Sequence, residues 1–334
     1  MQAITGVTGI LCLRAATGLA LVLSCMSGPA LAKALPIDIE AFIHAMVYKH
    51  QFDREALRKV FRQVETRPEV VQVAAAATRT RPWHEYRTAV VTQDRIDGGV
   101  KFWGIYEKVL DQVSAEYGVP QEIIVATIGI ASQYGHHVGG FRAIDVLTTL
   151  AFQYRPRADF FREQLEEYML LARQTGLDPL RIRGSGTGTN GIPQFLPSTY
   201  RKYAKDVDGN GKPDLVNSVP DALASVANYY RALGWRTGEP VAVRAEVDAR
   251  KRTIVNGRDL EPRTAVADLE RKGVKPALPL AATVRVALFS AQAKTEKQYW
   301  LGLYNFYLIS RDDRGINHAL AIHELAQELR AAKR

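Results

Sequence analysis

The chain has 334 residues, 47% of them hydrophobic and 24% charged, with two cysteines and a formal net charge of +9. That composition excludes a collagen, a coiled coil and a disordered polyelectrolyte, and the length suffices for one large core or two smaller ones. The positive balance favours polyanionic partners. No basic stretch is interleaved with aromatics as nucleic-acid binders require, so no nucleic-acid partner is expected.

Residues 1–32 stand apart. They carry one charge, Arg14, then the apolar run AATGLALVLSCMSG and the tetrapeptide PALA. The run is short for a membrane span, and the small residues Ala30 and Ala32 suit cleavage of a signal peptide before Lys33. Two alternatives stay open: a retained hydrophobic anchor, and a lipid on Cys25, whose preceding residues match a lipidation signal only in part. Either would attach the chain to a membrane, the outer one in the lipidated case. Cleavage removes both cysteines, Cys12 and Cys25, and leaves a charge of +8. An exported, periplasmic protein without disulfides is therefore expected, in a compartment where peptidoglycan and anionic lipid are the available polyanions.

The mature part opens with helical periodicity. PIDIEAFIHAMVYKH predicts a helix capped by Asp38, and DREALRKVFRQV another starting at Asp53. The alanines of VVQVAAAATRTR extend a third, and Pro82 stops it before the aromatic cluster WHEYR. The stretch 94–118 reads as one long amphipathic helix ending at Gly118. Pro120 then sits in the first turn of a helix, QEIIVATIGIASQYG, that is apolar all the way round and should be central and buried. PRADFFREQLEEYMLLARQTG and PDALASVANYYRALG are further helices. From about residue 240 the texture changes. PVAVRAEV and ATVRVALF alternate like strands, YWLGLYNFYLIS is ambiguous, and INHALAIHELAQELRAAKR closes the chain as an amphipathic helix. This divides the mature chain into an N-terminal helical region (33–118), a core (119–239) and a strand-bearing segment with its final helix (240–334).

Three motifs bear on chemistry. In KDVDGNGKPDLVN, Asp206, Asp208 and Asn210 stand at positions 1, 3 and 5 of a calcium-type loop, with Gly211 at the turn and the Lys212 carbonyl at position 7. Asn217 occupies position 12, where a bidentate Glu is usual, and Asp221 lies close enough to substitute. The competing reading is a turn held by its own side chains. RGSGTGTNGIPQFLPSTY has four glycines at 184, 186, 188 and 191 and no phosphate-loop lysine. A sugar-contacting wall with Ser185 and Gln194 suits it, against a flexible surface loop as the rival. His136 and His137 lack the spacing of metal ligands, and His318 and His323, five apart, read as surface residues. No Ser-His-Asp arrangement is apparent.

Taken together, RPWHEYR (81–87), VPQEIIVATIGI (119–130), DVLTTLAFQYRPRADFFREQLEEYMLLAR (145–173), GIPQFLPSTYRKYAKDVDGNG (191–211), DALASVANYYRALGW (221–235) and YWLGLYNFYLISR (299–311) resemble the lytic murein transglycosylase B family of bacterial cell-wall enzymes. The resemblance runs from about residue 38 to residue 330. It implies a mainly α (α+β) fold: a lysozyme-like helical core with a small strand-containing insertion, a structural calcium-type loop and a cleft for peptidoglycan glycan strands. In the family, one glutamate protonates the oxygen between N-acetylmuramic acid and N-acetylglucosamine. It then deprotonates the C6 hydroxyl, which closes a 1,6-anhydro ring.

Family members read like IGVETRYG where this chain has IGIASQYG, so the resemblance places Ala131 at the acid/base position. The family's GSYAGAMG is GSGTGTNG here, with Gly186 for an aromatic and Thr187, Thr189 and Asn190 for two alanines and a methionine. Its RYN becomes Arg311, Asp312, Asp313. Substrate-binding candidates are then Ser185, Gln194, Tyr229, Asp312 and Asp313. The expectation is a peptidoglycan-associated scaffold, silent or severely impaired, that binds glycan or serves as a partner for other cell-wall enzymes; a further reading is a structural or interaction protein whose cleft binds nothing. The alternative is an active enzyme with Asp312 or Asp313 as a relocated acid.

Overall fold

A computed structural model describes residues 34–77, 81–248, 250, 255, 259–311 and 315–334. The leader, its two cysteines and the pair Asp312–Asp313 lie outside the described residues.

Among the described residues six helices precede the central one: α1 Ile37–His50, α2 Arg54–Phe61, α3 Pro68–Ala77, α4 Trp83–Val90, α5 Gln93–Ile105 and α6 Glu107–Tyr117. Asp53 caps α2, its carboxylate accepting from the Ala56 amide at 2.6 Å. The cap expected at Asp38 is not made. The chain enters α1 from extended Pro36, and Asp38 sits inside the first turn, where its charge favours the helix dipole without capping. The single helix expected over 94–118 is two. Tyr106 leaves helical geometry (φ −106°, ψ 17°) while still bonding back to Phe102 and forward to Leu110, so the hydrophobic period runs through the break unaltered.

Gly118 ends α6 with φ +69°, and α7 (Gln121–Ser132) starts after an extended Pro120. Pro120 thus precedes the first turn rather than lying in it. Every residue of α7 from Ile123 to Gly129 is buried, because helices stand on several sides of it: α5, α6, α11 (Val219–Ala232) and α14 (Gly315–Ala332). Its end is unusual. Gln133, Tyr134 and Gly135 all have positive φ (50°, 60° and 90°), which turns the Tyr134 ring back along the helix. A Cβ on Gly129 would lie 2.6 Å from the Tyr134 hydroxyl and one on Gly99 only 2.3 Å. The hydroxyl donates to the Arg95 carbonyl at 2.7 Å, and the ring packs on Phe102. The glycine in IGIASQYG is therefore the seat of the tyrosine five residues later. Gly129→Ala should lower the unfolding free energy by about 2 kcal/mol despite the better helix propensity of alanine. Adding Tyr134→Phe should return part of that loss, as denaturant titration of the three variants would measure.

A second group of helices, α8 Ala143–Gln153, α9 Ala158–Thr175 and α10 Pro197–Tyr203, follows, with a short 3-10 turn at Arg155–Arg157. Helices α1–α3 share one core with α8 and α9, including Ile43, Leu147, Phe161 and Tyr168. A larger core joins α4–α7 to α11, α13 (Tyr304–Ser310) and α14. Strands β1 (Phe141–Arg142) and β2 (Arg183–Gly184) form a small antiparallel pair. The C-terminal segment supplies an antiparallel sheet of β3 Ala242–Val247, β4 Thr264–Ala265, β5 Val274–Pro276, β6 Arg285–Gln292 and β7 Lys297–Gly302, in the order β4-β6-β7-β3-β5, with α12 (Val266–Arg271) against it. The ambiguous aromatic stretch is thus half strand, half helix. Among the described residues no helix is long and apolar enough to cross a membrane.

The two histidines of α14 are not on the surface. His318 and His323 are 8% and 6% exposed. Ala319 to Ile322 are buried in unbroken succession, so α14 has no open side at that level and its neighbouring residues go in with it.

Candidate functional site

Where the two helical cores meet, a cavity of about 360 Å³ opens. Tyr154, Arg157, Phe160 and Phe161 wall it on one side, and Thr187, Thr189, Gln194 and Phe195 on the other. Thr199 and Arg311 complete the polar part of the lining. The Arg157 guanidinium lies 4.1 Å over the Phe160 ring, giving a flat cationic shelf beside apolar faces. Sequence reasoning missed this wall, because RPRADFF reads only as a helix start. The available signal was the adjacent phenylalanines, which cannot share one helix face: Phe161 is buried and Phe160 half-buried.

The glycine-rich segment is built, not flexible. Its ends are pinned by the β1–β2 pair and by bridges from Asn190 to Gly184 and Phe195. Gly188 (φ +85°) and Gly191 (φ +72°) take the positive dihedrals that the tight path demands. A hydroxyl relay runs through it. Ser185 Oγ meets Thr187 Oγ1 at 2.9 Å and Thr189 Oγ1 at 2.8 Å, and Thr189 donates to Gln194 Oε1 at 2.9 Å. Gln194 Nε2 in turn donates to the Val138 and Gly191 carbonyls, at 2.9 and 2.7 Å. This ties the loop after α7 to the cavity wall.

Of the expected substrate-binding residues, Gln194 lines the cavity. Ser185 stands one step behind, holding Thr187 and Thr189. Tyr229 is buried between Phe195 and Tyr203, with ring centroids at 5.4 and 5.2 Å. Asp312 and Asp313 lie outside the described residues, although their neighbour Arg311 is in the lining. Ala131 is half-buried in the last turn of α7. It follows Thr127 by one turn on the same helix face, and Thr127 Oγ1 lies 2.9 Å from the Tyr230 hydroxyl. Asn190 is wholly buried, and neither atom of its amide has a hydrogen-bond partner. No carboxyl or imidazole group lines the cavity among the described residues.

The calcium-type loop lies between α10 and α11. Asp206, Asp208 and Asp221 each bring a carboxylate oxygen within 4.8 Å of the others. Asp206 accepts from Gly209 and Gly211, Asp208 from Asn210, and the Asn210 side chain from the Lys212 amide. Asp221, fully buried at the start of α11, accepts from Val207 and Asp214 at 2.9 Å each. Partial desolvation works to raise the Asp206 carboxyl, but the Gly211 and Gly209 amides hold it below its ordinary value. Asn217 is turned away, its amide donating to Asp214. Three hard oxygen donors thus converge, and Asp221 rather than position 12 supplies the third.

A family model described as a transglycosylase SLT domain matches residues 37–327. The chain belongs to the SLT-domain transglycosylase family. The membrane-bound lytic murein transglycosylase B of Escherichia coli is 37% identical over 306 residues, covering 89% of this chain and 83% of that protein. A solved structure of an E. coli lytic transglycosylase in complex with calcium is 36% identical, with a TM-score of 0.82, and covers 89% of this chain and 94% of that one. The Pseudomonas aeruginosa protein SltB3, solved in complex with NAG-NAM-pentapeptide, is 28% identical with a TM-score of 0.79 over 88% of this chain and 79% of that one. The SLT-domain fold is therefore the lysozyme-like, mainly helical architecture with a small antiparallel sheet that the resemblance implied.

Proposed function

We propose that this SLT-domain chain is an exported peptidoglycan-binding protein that keeps the glycan cleft and lacks its acid/base group. The observation that carries the reading is the chemistry of the cavity lining. Aromatic faces, hydroxyls and two guanidiniums suit a sugar chain, and no group there among the described residues exchanges a proton near neutral pH. The side chain at the expected acid position, Ala131, is a methyl group, and the nearby Ser132 and Gln133 do not titrate in a useful range. The complex of SltB3 with a peptidoglycan fragment supports glycan strands as the ligand. The protein should sediment with purified sacculi at physiological salt and release no 1,6-anhydro-muropeptides. Brisk release by the contaminant-free chain would sink the reading. Loss of that release on Asp312→Asn and Asp313→Asn would then assign the acid to those residues.

The loop of Asp206, Asp208, Asn210, Lys212 and Asp221 is assigned to structural calcium, supported by its convergent oxygens and by the relative solved with that ion. No organic cofactor is called for. At calcium one hundred-fold above its dissociation constant the fold should gain about 2.7 kcal/mol. This appears as a rise in melting temperature that chelator reverses and Asp208→Asn abolishes. No shift at millimolar calcium would remove the assignment. We further assign the chain to the periplasm, with other cell-wall enzymes as candidate partners and membrane attachment through residues 1–32 as the open alternative.

A further inference from the structure

A second cavity, of about 500 Å³, lies between α14 and strands β3 and β7. It shares no lining residue with the cleft. Three of its side chains carry buried polar atoms without a partner: Gln298 Oε1, Trp300 Nε1 and His323 Nε2. One is an acceptor, one a donor, and the imidazole nitrogen serves as either. Buried polar groups are nearly always bonded, so three orphan atoms on residues that line one cavity, each shut off from solvent as the side chains now stand, call for a partner that reaches them once the lining shifts.

The charges around them cancel. Arg87 donates to Glu324, which is 7% exposed, and its second nitrogen approaches Glu328 at 3.5 Å. Arg244 reaches Glu324 only at 3.7 Å. Instead its guanidinium lies 4.1 Å over the Trp300 ring, with the side chain 44% exposed. The edge of His323 meets the same indole at 5.8 Å and 85°. Burial first, and then Arg244, pushes the His323 imidazole down to about 4, so it is neutral at physiological pH. A cation entering the cavity would meet two guanidiniums and an indole N–H. An anion would meet two carboxylates and an amide oxygen. A neutral ligand rich in hydroxyls meets neither obstacle, since each hydroxyl both donates and accepts.

We propose that this cavity binds a neutral saccharide unit, which displaces the Arg244 guanidinium from the Trp300 face and bonds Gln298, His323 and the indole N–H. Arg244 is the loosely held member of the cluster and covers a flat apolar face of the kind on which a sugar ring stacks. The proposal is independent of how the cleft is read, because no residue is common to the two.

Indole ¹⁵N–¹H spectra of the full chain test it. The chain has four tryptophans, and Trp300→Phe identifies the fourth signal. Titration with N,N′-diacetylchitobiose, an uncharged disaccharide, should shift the Trp300 signal in the millimolar range. Gln298→Leu and His323→Phe should each weaken binding at least about fivefold, the loss of one hydrogen bond. Arg244→Ala should tighten it, because the competitor for the ring is gone. Glucosamine (cationic) and glucuronate (anionic) should shift the signal less than N-acetylglucosamine. A Trp300 signal that does not move overturns the proposal. So does a shift that survives both Gln298→Leu and His323→Phe, or loss of binding in Arg244→Ala with the spectrum otherwise native.

Discussion

Purified sacculi incubated with the Ala131→Glu variant should release 1,6-anhydro-muropeptides at least about 10²-fold faster than with the unaltered chain, the usual worth of general acid–base assistance. The backbone is prepared for the change. Residue 131 sits in a helix whose end is pinned by the buried Tyr134 ring and by the bonds of Ser132 Oγ to the Gly135 amide and of Gln194 to the Val138 carbonyl. The new side chain leaves a half-buried position, wet enough to ionise and close enough to apolar surroundings to hold a proton. Ala131→Gln fills the same volume without a transferable proton and should stay at the level of the unaltered chain. Release at equal, measurable rates by the Glu and Gln variants would refute the assignment of position 131. No release from either variant would point instead to the segment Gly186–Asn190, whose buried Asn190 side-chain amide has no partner.

The second large effect is on stability. The imidazole of His323 is held at about 4 in the folded protein by burial, and then by Arg244, against an ordinary 6.5. Arg87 on α4, Arg244 on β3 and the carboxylates of Glu324 and Glu328 are the charges around it. Between these two pH values the unfolded chain binds the extra proton and the folded one refuses it. Stability is therefore complete above pH 6.5 and falls as pH drops toward 4, by about 3 kcal/mol from this one group. His323→Phe removes the group and keeps a ring against Trp300. The difference in unfolding free energy between the two proteins should widen by that amount from pH 7 to pH 4. Parallel pH profiles would show that His323 titrates normally.

Much of the fold is legible in the sequence because packing leaves a periodic trace. Helix α7 was readable as central because apolar residues run round its whole circumference, and Gly118 and Pro120 mark its start. The strands β3 and β6 were readable from alternation. What escaped has a physical cause in each case. The break at Tyr106 costs no hydrogen bond to its neighbours, so amphipathicity carries no sign of it. His318 and His323 read as surface residues because titratable groups usually are, whereas the unbroken apolar run between them was the better guide. In the candidate site, the glycine-rich setting pointed to Gln194, which the fold places in the cavity lining. Arg157, Phe160 and Arg311 were not, since a cavity wall assembled from separate segments leaves no spacing to detect. The calcium-type loop was legible in Asp206 and Asp208. That Asp221 stands beside them was suggested by its nearness in sequence, and its fork of two amide bonds emerges only from the fold.

The Tyr134 plug has a consequence for inheritance. By locking the end of α7 from behind, it lets the side chain at 131 be exchanged without backbone rearrangement. Alanine codons GCA and GCG differ from glutamate codons GAA and GAG by one nucleotide. Where the codon for Ala131 is one of these two, a single base change would place a carboxyl group at that position, for as long as the glycine seats under that ring endure.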